Sequence, residues 1–461
     1  MSAISKIKKM FVLMLENRSY DNVFGWSDLR GWTTDGTPTQ ADGLIGKPPF
    51  QNTDVNGVSF QVAQGAPYRF SFDPGHEFTD TLVQLCGPAN ARAFIPDAPK
   101  DSATLSNGKY PALASDANGY GFACDLGAHG YDVATGLRGY SPDQLPVLNF
   151  LAHQFAVCDR WFSSMPGPTW PNRFFALAGT SWGLDHSPSS LDTVVSSLFD
   201  GAKFGNGSDS LLTRLTPQEW LVAHGDIPQS WSLKGADAHP TRFVKHADLI
   251  ASLASGNVDA SFIFIEPTYD PIGGFRNGES MHPTGDVRRG EALVEQMYNA
   301  IRNSPYWEES LLLIVFDEHG GFFDHVIPDP SVVSGMPALE PQKPTALTKR
   351  DFRFDRYGFR VPAIVVSPYV KQGTIDHSFH DHLSMAKTLS LIVQRSNPPL
   401  LDTPRFANAT DFASLLTLSQ PRKAEDIHPC PHALPIEPPT RPTTINHAAA
   451  AFNTLDFPVQ S

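Results

Sequence analysis

Basic charge is in short supply: 35 Lys and Arg stand against 48 Asp and Glu, a net charge of −13 over 461 residues. A chain of that sign lacks the electrostatic footprint of a nucleic-acid binder. Long apolar runs are missing as well, and none approaches the roughly twenty residues of a transmembrane helix. Cysteine is rare. Cys86, Cys124, Cys158 and Cys430 lie far apart with no CxxC or other metal-type spacing, and four such thiols fit two disulfides or a reduced compartment equally well. No export signal is read at the N-terminus. Lys6, Lys8 and Lys9 precede Met10 to Leu15, but that apolar run is too short, ends in Glu16-Asn17-Arg18 and has no small-residue cleavage site after it. The stretch reads as a first core strand, and the expectation is a cytoplasmic protein or one exported without a leader.

Turn formers, by contrast, are plentiful, with 35 Gly and 40 Pro. Much of the chain is therefore expected as long, shaped loops, which on a rigid scaffold build binding surfaces. Strand-like runs at 9–15, 156–162, 260–266, 311–316 and 360–367 alternate with helical patterns at 145–155, 169–179, 247–254, 287–303 and 383–394. A short helix is expected around 19–25 and another at 79–85. Strands alternating with helices predict an α/β fold with a largely parallel sheet flanked by helices. We expect one domain over 1–419, with 26–140 a loop-rich insertion, and a Pro-rich tail over 420–461 lying on its surface.

The strongest local signal is the run Leu311 to Phe316 stopping abruptly at Asp317-Glu318, then Gly320-Gly321, then Asp324-His325. Ligands in open α/β sheets bind just past the carboxyl ends of strands. Two adjacent buried carboxylates there repel each other unless a cation compensates. Glu16-Asn17 ends the first strand in the same manner, although alone it also reads as a helix cap. Three carboxylates and an amide oxygen form a hard-oxygen set suited to Ca²⁺, Mg²⁺ or Mn²⁺, with Zn²⁺ admitted if a histidine joins.

A third feature is Pro168-Thr169-Trp170-Pro171-Asn172-Arg173. Pro171 suits a first helical turn, so Thr169 falls at or just before the N-cap, beside unpaired N–H groups that hold a phosphate. Thr169 is either an ordinary cap or a nucleophile, and a threonine hydroxyl becomes nucleophilic at neutral pH when a divalent cation coordinates it. Arg173 offers a planar fork for phosphate oxygens. A leaving alkoxide needs a proton, for which His76, His282, His325 and His382 are candidates. His76 and His282 stand out because Pro and Gly force turns around them.

Together, Leu15-Glu16-Asn17-Arg18-Ser19-Tyr20-Asp21, Thr169-Trp-Pro-Asn-Arg173, His282-Pro283-x-x-Asp286 and Asp317-Glu318-x-Gly-Gly-x-x-Asp324-His325-Val326 resemble the signature blocks of the phosphoesterase family. That family contains bacterial and fungal phospholipases C, plant non-specific phospholipases C and a group of bacterial acid phosphatases. The blocks stand in the family's order over roughly residues 7 to 395. The resemblance implies an alkaline-phosphatase-like sandwich and hydrolysis of phosphate esters through a phosphoenzyme. It implies Glu16, Asn17, Asp317 and Glu318 as holders of a divalent metal ion and Thr169 as nucleophile. His76 and His282 would act as acid/base or anchoring groups near the phosphate, and Asn172, Arg173, Asp286 and His325 would contact substrate. The acid-phosphatase branch is similar but carries Ser where this chain has Thr169, which favours the phospholipase C branch. Tyr20 departs from the commoner Phe of the first block, at a position that reads as packing.

The expected reaction is in-line attack of Thr169 on phosphorus, protonation of the leaving alcohol by a histidine, and hydrolysis of the phosphothreonine. A phospholipid would yield diacylglycerol and a phosphorylated head group, with transient contact to a membrane surface. Trp26, Trp32, Phe322 and Phe323 would accept lipid or simply pack. The nearest rival is an acid phosphatase of broad specificity acting on small phosphomonoesters. A sulfatase fits the Thr less well, and a non-catalytic lipid- or metal-binding module fits an intact ligand set less well.

Overall fold

The computed structural model describes residues 3–94, 119, 121–188, 204–205, 209–350, 352–395 and 398–436. Its centre is a ten-stranded sheet. In chain order the strands are β1 (Lys9–Leu15), β2 (Arg30–Trp32), β3 (Pro38–Gln40), β4 (Ala156–Cys158), β5 (Trp220–His224), β6 (Phe243–Lys245), β7 (Phe262–Glu266), β8 (Ser310–Phe316), β9 (Ala363–Val366) and β10 (Thr374–Asp376). Across the sheet they run β6-β5-β7-β1-β8-β9-β4-β10-β2-β3. β6, β5, β7, β1 and β8 are mutually parallel. Strands β1 and β8 are buried along their whole length, as their near-continuous apolar sequences require.

The α/β class and the largely parallel sheet agree with the sequence pattern. One departure is β9, expected as another parallel member, which runs antiparallel to both β8 and β4. Arg360 and Pro362 lie just before it, and the Arg360 side chain is committed to a buried charge cluster. The predicted strand over 156–162 divides at Asp159-Arg160. β4 stays in the main sheet, while Trp161–Phe162 pairs with His380–Asp381. The edge strand β6 and its neighbour β5 carried too little periodicity to be read from the sequence.

Helices Pro146–Gln154, His246–Ser255 and Val287–Arg302 pack as one group, and Thr169–Ala178, Leu383–Ile392 and Pro404–Asn408 as another. The helix begun at Phe78 runs to Phe94 with a break at Gly87. Within 26–140 a satellite core forms from Leu44, Val62, Phe122, Leu126 and Leu137 with Phe323 and Phe359. The described part of the tail packs on the body: Arg422 donates to the Gln154 carbonyl at 2.6 Å, and Ile427 is buried. Residues 437–461, the rest of the expected tail, lie outside the described residues. No helix among the described residues is long and apolar enough to cross a membrane.

Candidate active site

β1 and β8 are parallel neighbours in register, with Leu15 opposite Phe316. The next residues, Glu16-Asn17 and Asp317-Glu318, therefore emerge side by side at the carboxyl edge of the sheet. All four are buried. Asn17 takes a left-handed conformation, φ 58°, which Asn tolerates better than most residues. Its backbone N–H donates to Asp317 Oδ1 at 3.1 Å. Its side chain meets two other groups: Oδ1 accepts from the Thr169 hydroxyl at 3.4 Å, and Nδ2 lies 3.3 Å from His76 Nε2.

The glycine pair explains how three backbone segments come this close. Gly320 has φ 66°, and a Cβ there would stand 2.1 Å from the Asn17 carbonyl oxygen. At Gly321, with φ 71°, a Cβ would stand 2.3 Å from the Gly75 carbonyl oxygen. Only glycine combines that conformation with that proximity. The turn thus wedges between the β1 end and the loop that carries His76. Gln84 fixes the loop further, donating to the Gly75 carbonyl at 2.6 Å and pairing through its Oε1 with His319 at 2.7 Å.

Thr169 is the first residue of a ten-residue helix, Thr169–Ala178, with Pro168 at the cap and Gly179 in the left-handed C-terminal position. Its hydroxyl therefore lies among the free N–H groups of the first turn. One turn on, Arg173 is buried and fully engaged. Nε donates to Asp317 Oδ2 at 3.0 Å, Nη1 to the Tyr269 hydroxyl at 2.7 Å, and Nη2 to the Met14 and Leu15 carbonyls at 3.2 and 3.3 Å.

His282 reaches the site from a segment stitched to β1. Glu16 N–H donates to the Ser280 carbonyl at 2.8 Å, and Arg18 Nε donates to the Met281 carbonyl at 2.9 Å. The imidazole stacks on Phe275 with centroids 3.8 Å apart and lies 6.5 Å from the His76 ring. Asp73 stands by both rings, with Oδ2 3.5 Å from His282 Nε2 and Oδ1 3.9 Å from His76 Nδ1.

The electrostatics are those of an under-compensated acid cluster. Burial pushes Glu16 up to about 8, with Arg173 opposing. Burial raises Asp317 to about 6 and Glu318 to about 7. For His76 burial works against charge, but Glu318 and Asp73 outweigh it and lift the imidazole to about 10. Burial takes His282 the other way, down to about 4. Without a bound ion the two histidines are thus pushed in opposite directions, His76 toward the protonated form and His282 toward the neutral one.

The donor set suits a hard divalent cation. Glu16 Oε2 and Glu318 Oε1 are buried without a hydrogen-bond partner, a costly state for a carboxylate unless a cation faces it. Glu16, Asp317 and Glu318 are not, however, among the three sets of described residues whose ligand atoms converge within 4.8 Å. Those sets are Cys158/Asp376/His380, Asp21/Asp324/His325 and Asp80/Asp125/His129.

Seven of the expected site residues meet here: Glu16, Asn17, His76, Thr169, His282, Asp317 and Glu318. The four expected to touch substrate are placed otherwise. Arg173 has every donor nitrogen spent on holding Asp317, Tyr269 and the end of β1. Asn172 clamps the loop ahead of Thr169, its Nδ2 donating to the Met165, Gly167 and Pro168 carbonyls and its Oδ1 accepting from Met165 N–H. Asp286 caps helix Val287–Arg302 and pairs with Arg288 at 2.7 Å. His325 belongs to a separate cluster with Asp21, Asp42 and Arg360. His382 sits behind the site, its Nε2 2.6 Å from the Asp317 carbonyl. Asp73 and Tyr269 were not singled out in the sequence. Asp73 carried a signal, lying in the tight Asp-Pro-Gly-His turn, whereas Tyr269 carried none.

The phosphoesterase family model matches residues 7–221 and 233–394. A non-specific phospholipase C6 from Arabidopsis thaliana is 31% identical over 476 residues, covering 97% of this chain and 78% of its own. A non-specific phospholipase C3 from the same plant is 29% identical, covering 100% and 82%. Phospholipase C B of Mycobacterium tuberculosis is 28% identical, covering 96% and 84%. The likeness defines the class as phosphoric ester hydrolase. The chain belongs to the phosphoesterase family, as its four blocks implied. Among solved structures, an alkaline phosphatase superfamily protein from Vibrio parahaemolyticus aligns over 55% of this chain and 61% of its own at 14% identity and a TM-score of 0.31.

Proposed function

We propose that this enzyme is a phospholipase C, hydrolysing glycerophospholipids to diacylglycerol and a phosphorylated head group with Thr169 as nucleophile. The observation that carries the assignment of Thr169 is the Asn17 side chain. It touches the Thr169 hydroxyl and His76 at once, while its backbone holds Asp317. Support for the lipid substrate comes from the relatives named phospholipase C, which match this chain over nearly its whole length.

Thr169 Oγ1 gives up its proton to solvent and forms the new bond to phosphorus as the bond from phosphorus to the glycerol oxygen breaks, and it regains a proton when the phosphothreonine is cleaved. The N–H groups of the first helical turn face the phosphoryl oxygens. His76, with Asp73 Oδ1 3.9 Å from its Nδ1, supplies the proton to the departing diacylglycerol oxygen. Neutral His282 then takes a proton from the water that cleaves the phosphothreonine and releases the phosphorylated head group. Arg173 keeps Asp317 and the β1 end in place throughout. Glu16, Asn17, Asp317 and Glu318 would hold a divalent cation (Ca²⁺, Mg²⁺, Mn²⁺ or Zn²⁺), which when bound lowers the pKa of a coordinated hydroxyl and offsets charge on phosphoryl oxygens.

Product analysis tests the substrate class. With phosphatidylcholine, diacylglycerol should appear together with phosphocholine. Release of inorganic phosphate from p-nitrophenyl phosphate with no diacylglycerol from lipid would instead make the enzyme an acid phosphatase of broad specificity.

A further inference from the structure

The 3-10 turn Gln229–Ser232 follows β5 and lies against the end of β1. Its position is fixed by Glu266, the last residue of β7, which spends its carboxylate on that turn. Gln229 N–H donates to Glu266 Oε2 at 2.8 Å, Ser230 N–H to Oε1 at 3.1 Å, and the Ser230 hydroxyl to Oε1 at 2.5 Å. The Tyr269 hydroxyl adds a fourth bond to Glu266 at 2.7 Å and accepts from Arg173. The turn and Asp317 are thus braced through the same Tyr269–Arg173 pair.

What this bracing presents to the site is the Gln229 side chain. Its Nε2 donates to Glu16 Oε1 at 3.3 Å. Its Oε1 is shielded from solvent and has no hydrogen-bond partner. Glu16 Oε2 is in the same condition. Two side chains already in contact therefore each end in a buried, unpaired oxygen. An amide oxygen left so is costly, and the expense recurs on two joined residues beside an under-compensated carboxylate group. A hard cation accepted by both oxygens removes both penalties at once.

We propose that Gln229 is a further protein ligand of the divalent cation held by Glu16, Asn17, Asp317 and Glu318, contributing its amide oxygen. This rests on the reading of those four residues as a cation site. Gln229 carries no charge, so it adds a hard donor without adding to the repulsion among the acids.

The test is titration of the full-length, chelator-stripped protein with Mn²⁺ by calorimetry, comparing wild type with Gln229→Met, Gln229→Glu and Glu16→Gln. Gln229→Met keeps length and shape but has no hard oxygen, and Mn²⁺ should bind it about 10- to 100-fold more weakly, the scale on which supporting groups at metal sites act. Gln229→Glu restores an oxygen with a charge and should bind at least as tightly as wild type. A merely structural glutamine predicts the same loss in both variants, which would overturn the proposal, as would unchanged affinity in Gln229→Met. Should the Met variant fail to fold, weakened binding in Gln229→Glu alone overturns it. Glu16→Gln separates the two levels. If it abolishes Mn²⁺ binding while Gln229→Met does not alter it, Gln229 is no ligand and the cation site stands. If Glu16→Gln also binds normally, the cation site itself falls.

Discussion

Two buried acid clusters lie within a few residues of each other along both segments that build the site, and they have opposite characters. One gathers Glu16, Asp317 and Glu318; the other gathers Asp21, Asp324 and, at its rim, Asp42. In the second, Arg360 lies between the acids, donating from Nε to Asp324 Oδ1 at 2.9 Å and from Nη2 to Asp21 Oδ1 at 3.0 Å. His325 Nδ1 lies 2.6 Å from Asp21 Oδ2, and Asp21 N–H donates to Asp324 Oδ2 at 3.2 Å. Every oxygen of Asp21 and Asp324 has a donor. Although burial opposes its charge, His325 and Arg360 hold Asp21 below the ordinary carboxylate range. Asp324 is raised by burial to about 6, yet it shares the same arginine. In the first cluster Arg173 serves Asp317 among the acids by hydrogen bond, and two glutamate oxygens are left unpaired. A protein that can neutralise buried acids internally has done so on one side of the loop and not on the other. The unneutralised side faces Thr169.

The comparison breaks most sharply at Thr169. Thr169→Ala should lower turnover by at least about a thousandfold, as loss of a nucleophile does. The thermal midpoint should stay within error of wild type, because among the described residues the hydroxyl's hydrogen bond is the 3.4 Å contact to Asn17. Near-native turnover would remove Thr169 from the mechanism. Next in size is Arg360→Met. It removes the guanidinium that Asp21 and Asp324 share and should destabilise the fold by about 3–5 kcal/mol, the range for breaking a buried ion pair. Chemical denaturation measures this directly. A loss below about 1 kcal/mol would show that the second cluster is no better compensated than the first.

Stability against pH sharpens the contrast further. Glu16 and Glu318 have folded values raised to about 8 and about 7, above the ordinary carboxylate range of an unfolded chain. A raised acid favours the fold while protonated, so its contribution is complete below the unfolded value and is lost as pH rises through the folded one. The chelated enzyme should therefore lose stability between about pH 5 and 8, and excess divalent cation should flatten that slope. Glu318→Gln should also flatten it in the chelated protein, while weakening cation binding. A chelated wild type as stable at pH 8 as at pH 5 would contradict the picture of uncompensated acids.

Much of this was legible in the sequence, for physical reasons that also mark the limit. Strands β1 and β8 announce themselves because both faces are buried, leaving unbroken apolar runs that end at polar residues. Those ends placed Glu16-Asn17 and Asp317-Glu318 at one edge before any coordinates. Gly320 and Gly321 stood out as a turn, but their role as points where backbones nearly touch needs the positions of Asn17 and Gly75. The fates of Arg173, Asn172 and Asp286 were hidden for a common reason. Each is a residue type that binds phosphate or substrate as readily as it caps a helix or holds a carbonyl, and the choice depends on what the rest of the chain brings near. Tyr269 and Gln229 gave no sign at all. Each meets the site through a partner more than 90 residues away, Arg173 for Tyr269 and Glu16 for Gln229, and neither sits in a patterned segment.

The smallest expected effect falls on His325, which separates the clusters most directly because it was expected at the substrate and is found with Asp21. His325→Gln should leave kcat/KM within about threefold of wild type, since among the described residues the imidazole is engaged by Asp21, Asp42, Lys47 and Arg360. Stability should fall by only about 1–3 kcal/mol, because the backbone N–H of residue 325 still donates to Asp21 Oδ2 at 2.7 Å. The pH dependence identifies the partner. Burial lowers the His325 pKa, but Asp21 and Asp42 outweigh it and the net shift is upward. Its contribution is then present below the ordinary histidine value and lost as pH rises through the raised one. The stability difference between wild type and His325→Gln should accordingly be greatest in mild acid and shrink above neutrality, with kcat/KM unchanged in rank across the same range. A tenfold or larger fall in kcat/KM, with stability untouched, would return His325 to the substrate.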